Sequence, residues 1–156
     1  MARIEHEVEE AAARAGTSSA LLKAVLVVED RARGSTTHRT LERLACSLIK
    51  MGWLHRDLSL GLGQVRLSTA NQLSPERATA STIDCLRSDS GCAGVSAMVL
   101  AQAWPHREFP EDRDMLRRVI ELYLFGRESG RKSPIIENYG DWVYSLGHWW
   151  MSGSKG

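Results

Sequence analysis

Cysteine, proline and phenylalanine are scarce in this chain, and neither sign of charge is in excess. Three cysteines, Cys46, Cys85 and Cys92, stand among 156 residues. An odd count at those spacings gives neither a metal-ligand motif nor a disulfide framework. Cys85 and Cys92 bracket a short polar stretch, which leaves one bridge open in an oxidising compartment. The favoured reading is three small core or loop residues. Lysine and arginine total 20 against 19 acids, a net charge of +1. That balance lacks the basic excess of a nucleic-acid-binding surface, so no nucleic-acid partner is expected. The longest largely apolar stretches, Leu21 to Val28 and Val95 to Trp104, are too short to span a bilayer. The first ten residues carry Glu5, Glu7, Glu9 and Glu10 and no apolar core, unlike a secretion signal. The five histidines show no paired spacing, so no metal is expected. Ser90-Gly91-Cys92 matches no nucleophile motif.

What is present is an ordinary folded-domain composition, 43% hydrophobic and 25% charged. Its apolar periodicity is helical nearly throughout. One face of Ile4 to Ala15 is apolar, and Gly16 ends that helix. Thr17, Ser18 and Ser19 offer caps for a helix from Ala20 to about Glu29, which is apolar all round and therefore central. A polar loop follows from Arg31 to Thr37, then an amphipathic helix from Thr40 to Met51. The stretch from His55 to Arg66 reads as irregular. A helix is expected from Ser68 to about Leu73, and another opened by Ser74-Pro75-Glu76. Gly91 to Gly94 is expected to break the chain before a buried helix, Val95 to Trp104. Pro110-Glu111-Asp112 should open a helix reaching Phe125. A basic loop spans Gly126 to Pro134, and the last helix runs from about Ile136 to Trp150. Trp142, Trp149 and Trp150 are expected to pack it on the core. Residues 152–156 read as a flexible tail. The expectation is one all-α globular domain, residues 1–156, of about seven or eight helices.

Two features carry chemistry. Glu29 ends the most apolar helix, where lost hydration raises a carboxyl's pKa toward the range of a general acid. Its plainer reading is a solvated helix end paired with Arg31 or Arg33. The second feature is Gly61-Leu62-Gly63-Gln64-Val65, a glycine-rich turn ahead of a helix. Glycine lets backbone approach a ligand closely, and Gln64 offers a donor and an acceptor together. The G-x-x-x-x-G-K-[ST] order of a phosphate loop is missing.

Gly61-Leu62-Gly63-Gln64-Val65 followed by Thr69-Ala70 resembles the G-L-M-Q-[IVL]-x-P-x-T-A signature of soluble lytic transglycosylases and goose-type lysozymes. In that family an apolar helix ends in the catalytic Glu, the place Glu29 holds. Asp30 stands where the family usually has Ser, and Leu67 where it has Pro. The later family tyrosines resemble Tyr123, in Leu122-Tyr123-Leu124-Phe125-Gly126, and Tyr139, ahead of Val143. The resemblance runs from about Ala20 to Trp150.

The resemblance implies a lysozyme-like fold that cuts the β-1,4 bond from N-acetylmuramic acid to N-acetylglucosamine in peptidoglycan, with no cofactor. Glu29 would be the catalytic acid. Gln64, Gly63, Leu62, Tyr139 and Tyr123 would line the substrate cleft. A hydrolytic variant would want a second carboxylate, for which Asp30 and Asp57 are nearest in sequence. Trp53, near the glycine turn, could stack on a sugar. Action would be in the periplasm or cell wall, with delivery by a secretion or lysis system or as part of a longer chain. An immunity or inhibitor protein, or a secretion-system carrier, is the expected protein partner. The competing expectation is a non-catalytic all-α module that binds glycan or protein.

Overall fold

The computed structural model describes residues 2–32, 36–54, 56–126 and 134–153. The centres of both expected polar loops and the last three residues of the expected tail lie outside them. Among the described residues there are eight α-helices and one short hairpin, so the molecule is all-α. None of those helices is long and apolar enough to cross a membrane.

The helices are α1 (Ala2–Ala15), α2 (Ser19–Ala32), α3 (Thr36–Lys50), α4 (Leu67–Leu73), α5 (Thr79–Arg87), α6 (Asp89–Ala103), α7 (Arg113–Phe125) and α8 (Pro134–Gly153). Two two-residue strands, β1 (Ser59–Leu60) and β2 (Val65–Arg66), pair antiparallel with Leu60 opposite Val65. The glycine turn is thus the loop of a hairpin rather than irregular chain.

α2 is the centre. Leu21, Leu22, Ala24, Val25, Leu26 and Val28 are all buried, as an all-round apolar helix requires. Its start is fixed by Ser18, whose Oγ accepts the Leu21 N–H at 3.3 Å. α8 packs along α2, α1 packs along α6, and α7 lies against α8. α3 is held more loosely. It buries Cys46 but leaves Leu41 and Leu44 largely exposed.

Several expected boundaries move: α2 continues to Ala32 and α3 begins at Thr36, both within the expected polar loop, and three others shift as well. Gly91 and Gly94 do not break the chain but lie inside α6. Ser88 caps that helix by accepting the Gly91 N–H at 3.1 Å, so it starts before the glycines. A Cβ on Gly91 would sit 2.3 Å from the Cys85 carbonyl oxygen. The glycine therefore lets the start of α6 close onto the end of α5, which outweighs a propensity cost of about 1 kcal/mol. Pro75 does not open α5. It sits in a turn closed by the Arg77 N–H on the Ser74 carbonyl at 3.0 Å, and the helix begins at Thr79. The last helix runs through Ser152 to Gly153, two residues expected in the tail.

Two tryptophans also differ from expectation. Trp142 and Trp149 are 57% and 65% exposed instead of packing α8 onto the core. Val143 and Gly147 do the packing. Gly147 seats the Phe109 ring, an atom of which lies 2.1 Å from where a Cβ would be.

Candidate functional site

Among the described residues Glu29 is the one charged side chain that is buried, 6% exposed. It lies on α2 just past Val28, where the helix packs along α8. A carboxylate there has given up water, and burial pushes its pKa up to about 7. The Tyr139 hydroxyl, from α8, donates to Glu29 Oε1 at 2.8 Å. That bond favours the ionised form and pulls the pKa down, but by less than burial raises it. Tyr139 is itself pushed far up, by burial first and then by the Glu29 charge, so its phenol stays neutral and acts as a donor. Losing the bond removes a stabiliser of the carboxylate. Tyr139→Phe is therefore expected to raise the Glu29 pKa further, which a carbon-13 NMR titration of the glutamate carboxyls would read as a midpoint moved to higher pH.

The glycine turn lies one helical turn away along α2. A Cβ on Gly63 would come 3.1 Å from Leu26 Cδ2, and Leu26 is three residues before Glu29. Other elements hold the loop from every side. The Gly61 N–H donates to Glu42 Oε1 at 3.0 Å, from α3. The Gly63 N–H meets Cys92 Sγ at 3.1 Å, from α6. The Tyr123 hydroxyl, from α7, donates to the Gly63 carbonyl at 2.6 Å and lies 3.3 Å from Ser96 Oγ. Burial holds the Tyr123 phenol well above its usual range, so it too is a neutral donor. The loop folds back on itself through Gln64, whose backbone N–H and Nε2 both donate to the Gly61 carbonyl, at 3.2 and 2.9 Å. Gln64 adopts a φ of +47°, rare for a residue with a side chain.

The residues singled out in the sequence thus separate into roles. Glu29 and Tyr139 touch. Tyr123 and Gly63 touch each other in the interior, where their hydrogen bond fixes the loop. Leu62 is half-buried against the core. Gln64 is half-buried and lines a groove of about 400 Å³ with Ala32, Glu42 and Leu58. A second groove, of about 380 Å³, runs between α4, α6 and α7, with Thr69, Gln72, Gln102 and Tyr123 in its walls. Asp57, one of the two acids considered as a second carboxylate, is exposed and tied to α4. It accepts the Ser68 N–H at 2.8 Å and the Ser68 hydroxyl at 2.7 Å, capping α4. Asp30 is half-buried on α2. Trp53 is 77% exposed.

The residues that sequence reasoning missed are the loop's anchors: Glu42, Cys92 and Ser96. Glu42 and Cys92 lie 19 and 29 residues from the glycine N–H groups they meet, and Ser96 lies 27 residues from Tyr123, whose hydroxyl it meets. The only local hint is Ser96, a small polar residue in an apolar helix. No family of proteins, curated protein or solved structure matches this chain in sequence or fold comparisons.

Proposed function

We propose that this protein cleaves the β-1,4 bond between N-acetylmuramic acid and N-acetylglucosamine in peptidoglycan, with Glu29 as general acid and then general base. The observation that carries the reading is the Glu29 carboxyl: buried, raised to about 7, and hydrogen-bonded by Tyr139. Such a group is half-protonated at neutral pH, where an ordinary glutamate has lost its proton. It can therefore give a proton to a leaving alkoxide and remain as carboxylate. The resemblance of the Gly61 to Val65 turn to the lytic transglycosylase signature supplies the substrate class.

The step balances with one carboxyl. Glu29 protonates the glycosidic oxygen as the C1–O bond breaks, leaving an oxocarbenium-like muramic sugar. The sugar's own 6-hydroxyl then attacks C1, and the Glu29 carboxylate takes its proton. The product is a 1,6-anhydro sugar, and the enzyme returns to its starting state. On this reading the protein acts in the periplasm or cell wall, and an immunity protein or secretion carrier would be its protein partner.

Mass spectrometry of digested peptidoglycan tests it. Expected products are muropeptides lighter by one water than hydrolysed ones, and absent with Glu29→Gln. Hydrated reducing ends would replace the transglycosylase route with hydrolysis. No product from folded wild-type protein on several peptidoglycans would overturn the enzyme reading and leave a binding module.

A further inference from the structure

The exposed indole of Trp142 calls for a physical reason. It sits in the middle of α8, three residues after the buried Tyr139 and beside the fully buried Val143, yet 57% of its surface meets solvent. Trp142, Ser145 and Leu146 of α8 form one wall of a groove of about 670 Å³, and Arg31 and Ala32 of α2 form the other. This groove starts within one helical turn of the Glu29–Tyr139 hydrogen bond on both helices, because Ala32 is three residues past Glu29 and Trp142 three past Tyr139. Arg31 is exposed and has no acid partner among the described residues. By contrast Arg113 and Arg117 both reach Asp141, at 3.5 and 3.9 Å. The groove therefore combines a flat apolar face, a guanidinium with no acid partner among the described residues, and a place one helical turn from Glu29 and Tyr139 along their own helices.

We infer that this groove is a glycan subsite, in which Trp142 stacks on a sugar ring and Arg31 pairs with a carboxylate carried by that ring. This rests on the peptidoglycan reading and extends it. The two faces of a pyranose are largely C–H, so an indole can cover one face while the ring hydroxyls stay in water at its edge. An acid on the ring would then fall to Arg31, the groove's cation. Muramic acid is such a ring: its lactyl ether ends in a carboxylate where no stem peptide is attached. The pairing is solvent-exposed, so it sets preference between acidic and neutral sugars and weakens with salt.

The test uses full-length Glu29→Gln protein, which binds without turnover, and isothermal titration with two probes. One is chitotetraose, which is neutral. The other is the peptide-free tetrasaccharide alternating N-acetylglucosamine and N-acetylmuramic acid, which is acidic. Glu29→Gln is expected to bind the acidic probe more tightly. Adding Trp142→Ala should weaken both about tenfold, and Trp142→Phe should restore most of the loss. Adding Arg31→Gln should weaken only the acidic probe and erase the preference. Thermal unfolding of these variants should match the parent, since both side chains are exposed. Equal binding of both probes by the Glu29→Gln protein with and without Trp142→Ala overturns the subsite while leaving the peptidoglycan reading standing. Failure of the Glu29→Gln protein to bind either probe overturns both.

Discussion

Glu29→Gln is expected to abolish cleavage while making the protein more stable at and above neutral pH. The activity arm follows from the amide having no proton to give and no basic oxygen to receive one. Loss of a general acid and base costs about 10²- to 10⁴-fold in rate. The stability arm follows from linkage. An unfolded glutamate titrates near its ordinary value of 4.5, and the folded Glu29 at about 7. Between those values the folded state binds more protons than the unfolded one. Stability of the wild type must therefore fall as pH rises through that window, and level off above it. The gap corresponds to a destabilisation on the order of 3 kcal/mol above pH 7, relative to a neutral group of the same shape. Glutamine is that group, and it keeps an oxygen to accept from Tyr139. Melting curves from pH 4 to pH 8 should show the variant above the wild type by roughly 5–10 °C at the alkaline end, with the two converging near pH 4. A constant difference across the range would mean that Glu29 is not held desolvated, and the case for a general acid would lose its footing.

Glu29 was legible in the sequence because its signal is local. Seven of the residues from Leu21 to Val28 are apolar, and a carboxyl at the end of such a run has to be dehydrated or turned away. The glycine turn was legible for the same kind of reason, since two glycines flanking one leucine ahead of a helix mark a tight loop. What holds that loop was not legible. Tyr123 reaches Gly63 across 60 residues and Tyr139 reaches Glu29 across 110, and only their order along the chain hinted at a meeting. The same limit explains Asp57, which reads as a spare acid until α4 is folded beside it. It also explains Gly91, where the capping hydroxyl of Ser88 and the close approach of α5 override the usual meaning of glycine. Trp142 and Trp149 recur at a seven-residue spacing that suggests a packed stripe. The small residues between them take the core instead, with Phe109 resting on Gly147.

Gly61→Ala is expected to be the most damaging conservative change at the loop, and comparison with Gly52→Ala separates its two causes. Both glycines have a φ of +74°. An alanine at either pays the left-handed backbone penalty of about 1–2 kcal/mol. At Gly52 a Cβ meets nothing within 4 Å, so that penalty is the whole effect. At Gly61 the Cβ would lie 2.0 Å from the Leu86 carbonyl oxygen and 2.7 Å from Cys92 Sγ. Leu86 is fully buried in the last turn of α5, and its carbonyl is backbone that cannot swing aside. Overpacking of this kind adds about 1–3 kcal/mol, for a total on the order of 2–5 kcal/mol. That is a large share of a typical stability of about 5–15 kcal/mol. Urea unfolding should therefore give Gly61→Ala a midpoint well below that of Gly52→Ala, and similar midpoints would show that α5 does not pack on the loop. Gly63→Ala offers the contrast, because its nearest obstacle, at 2.0 Å, is the Ser96 hydroxyl rather than backbone. Adding Ser96→Gly should restore much of its stability, whereas no side-chain truncation rescues Gly61→Ala. Cleavage should fall in parallel, since the Gly61 carbonyl holds both the backbone and the side chain of Gln64. Displacing it moves Gln64, which lines the groove beside Glu42 and which the peptidoglycan reading places against substrate.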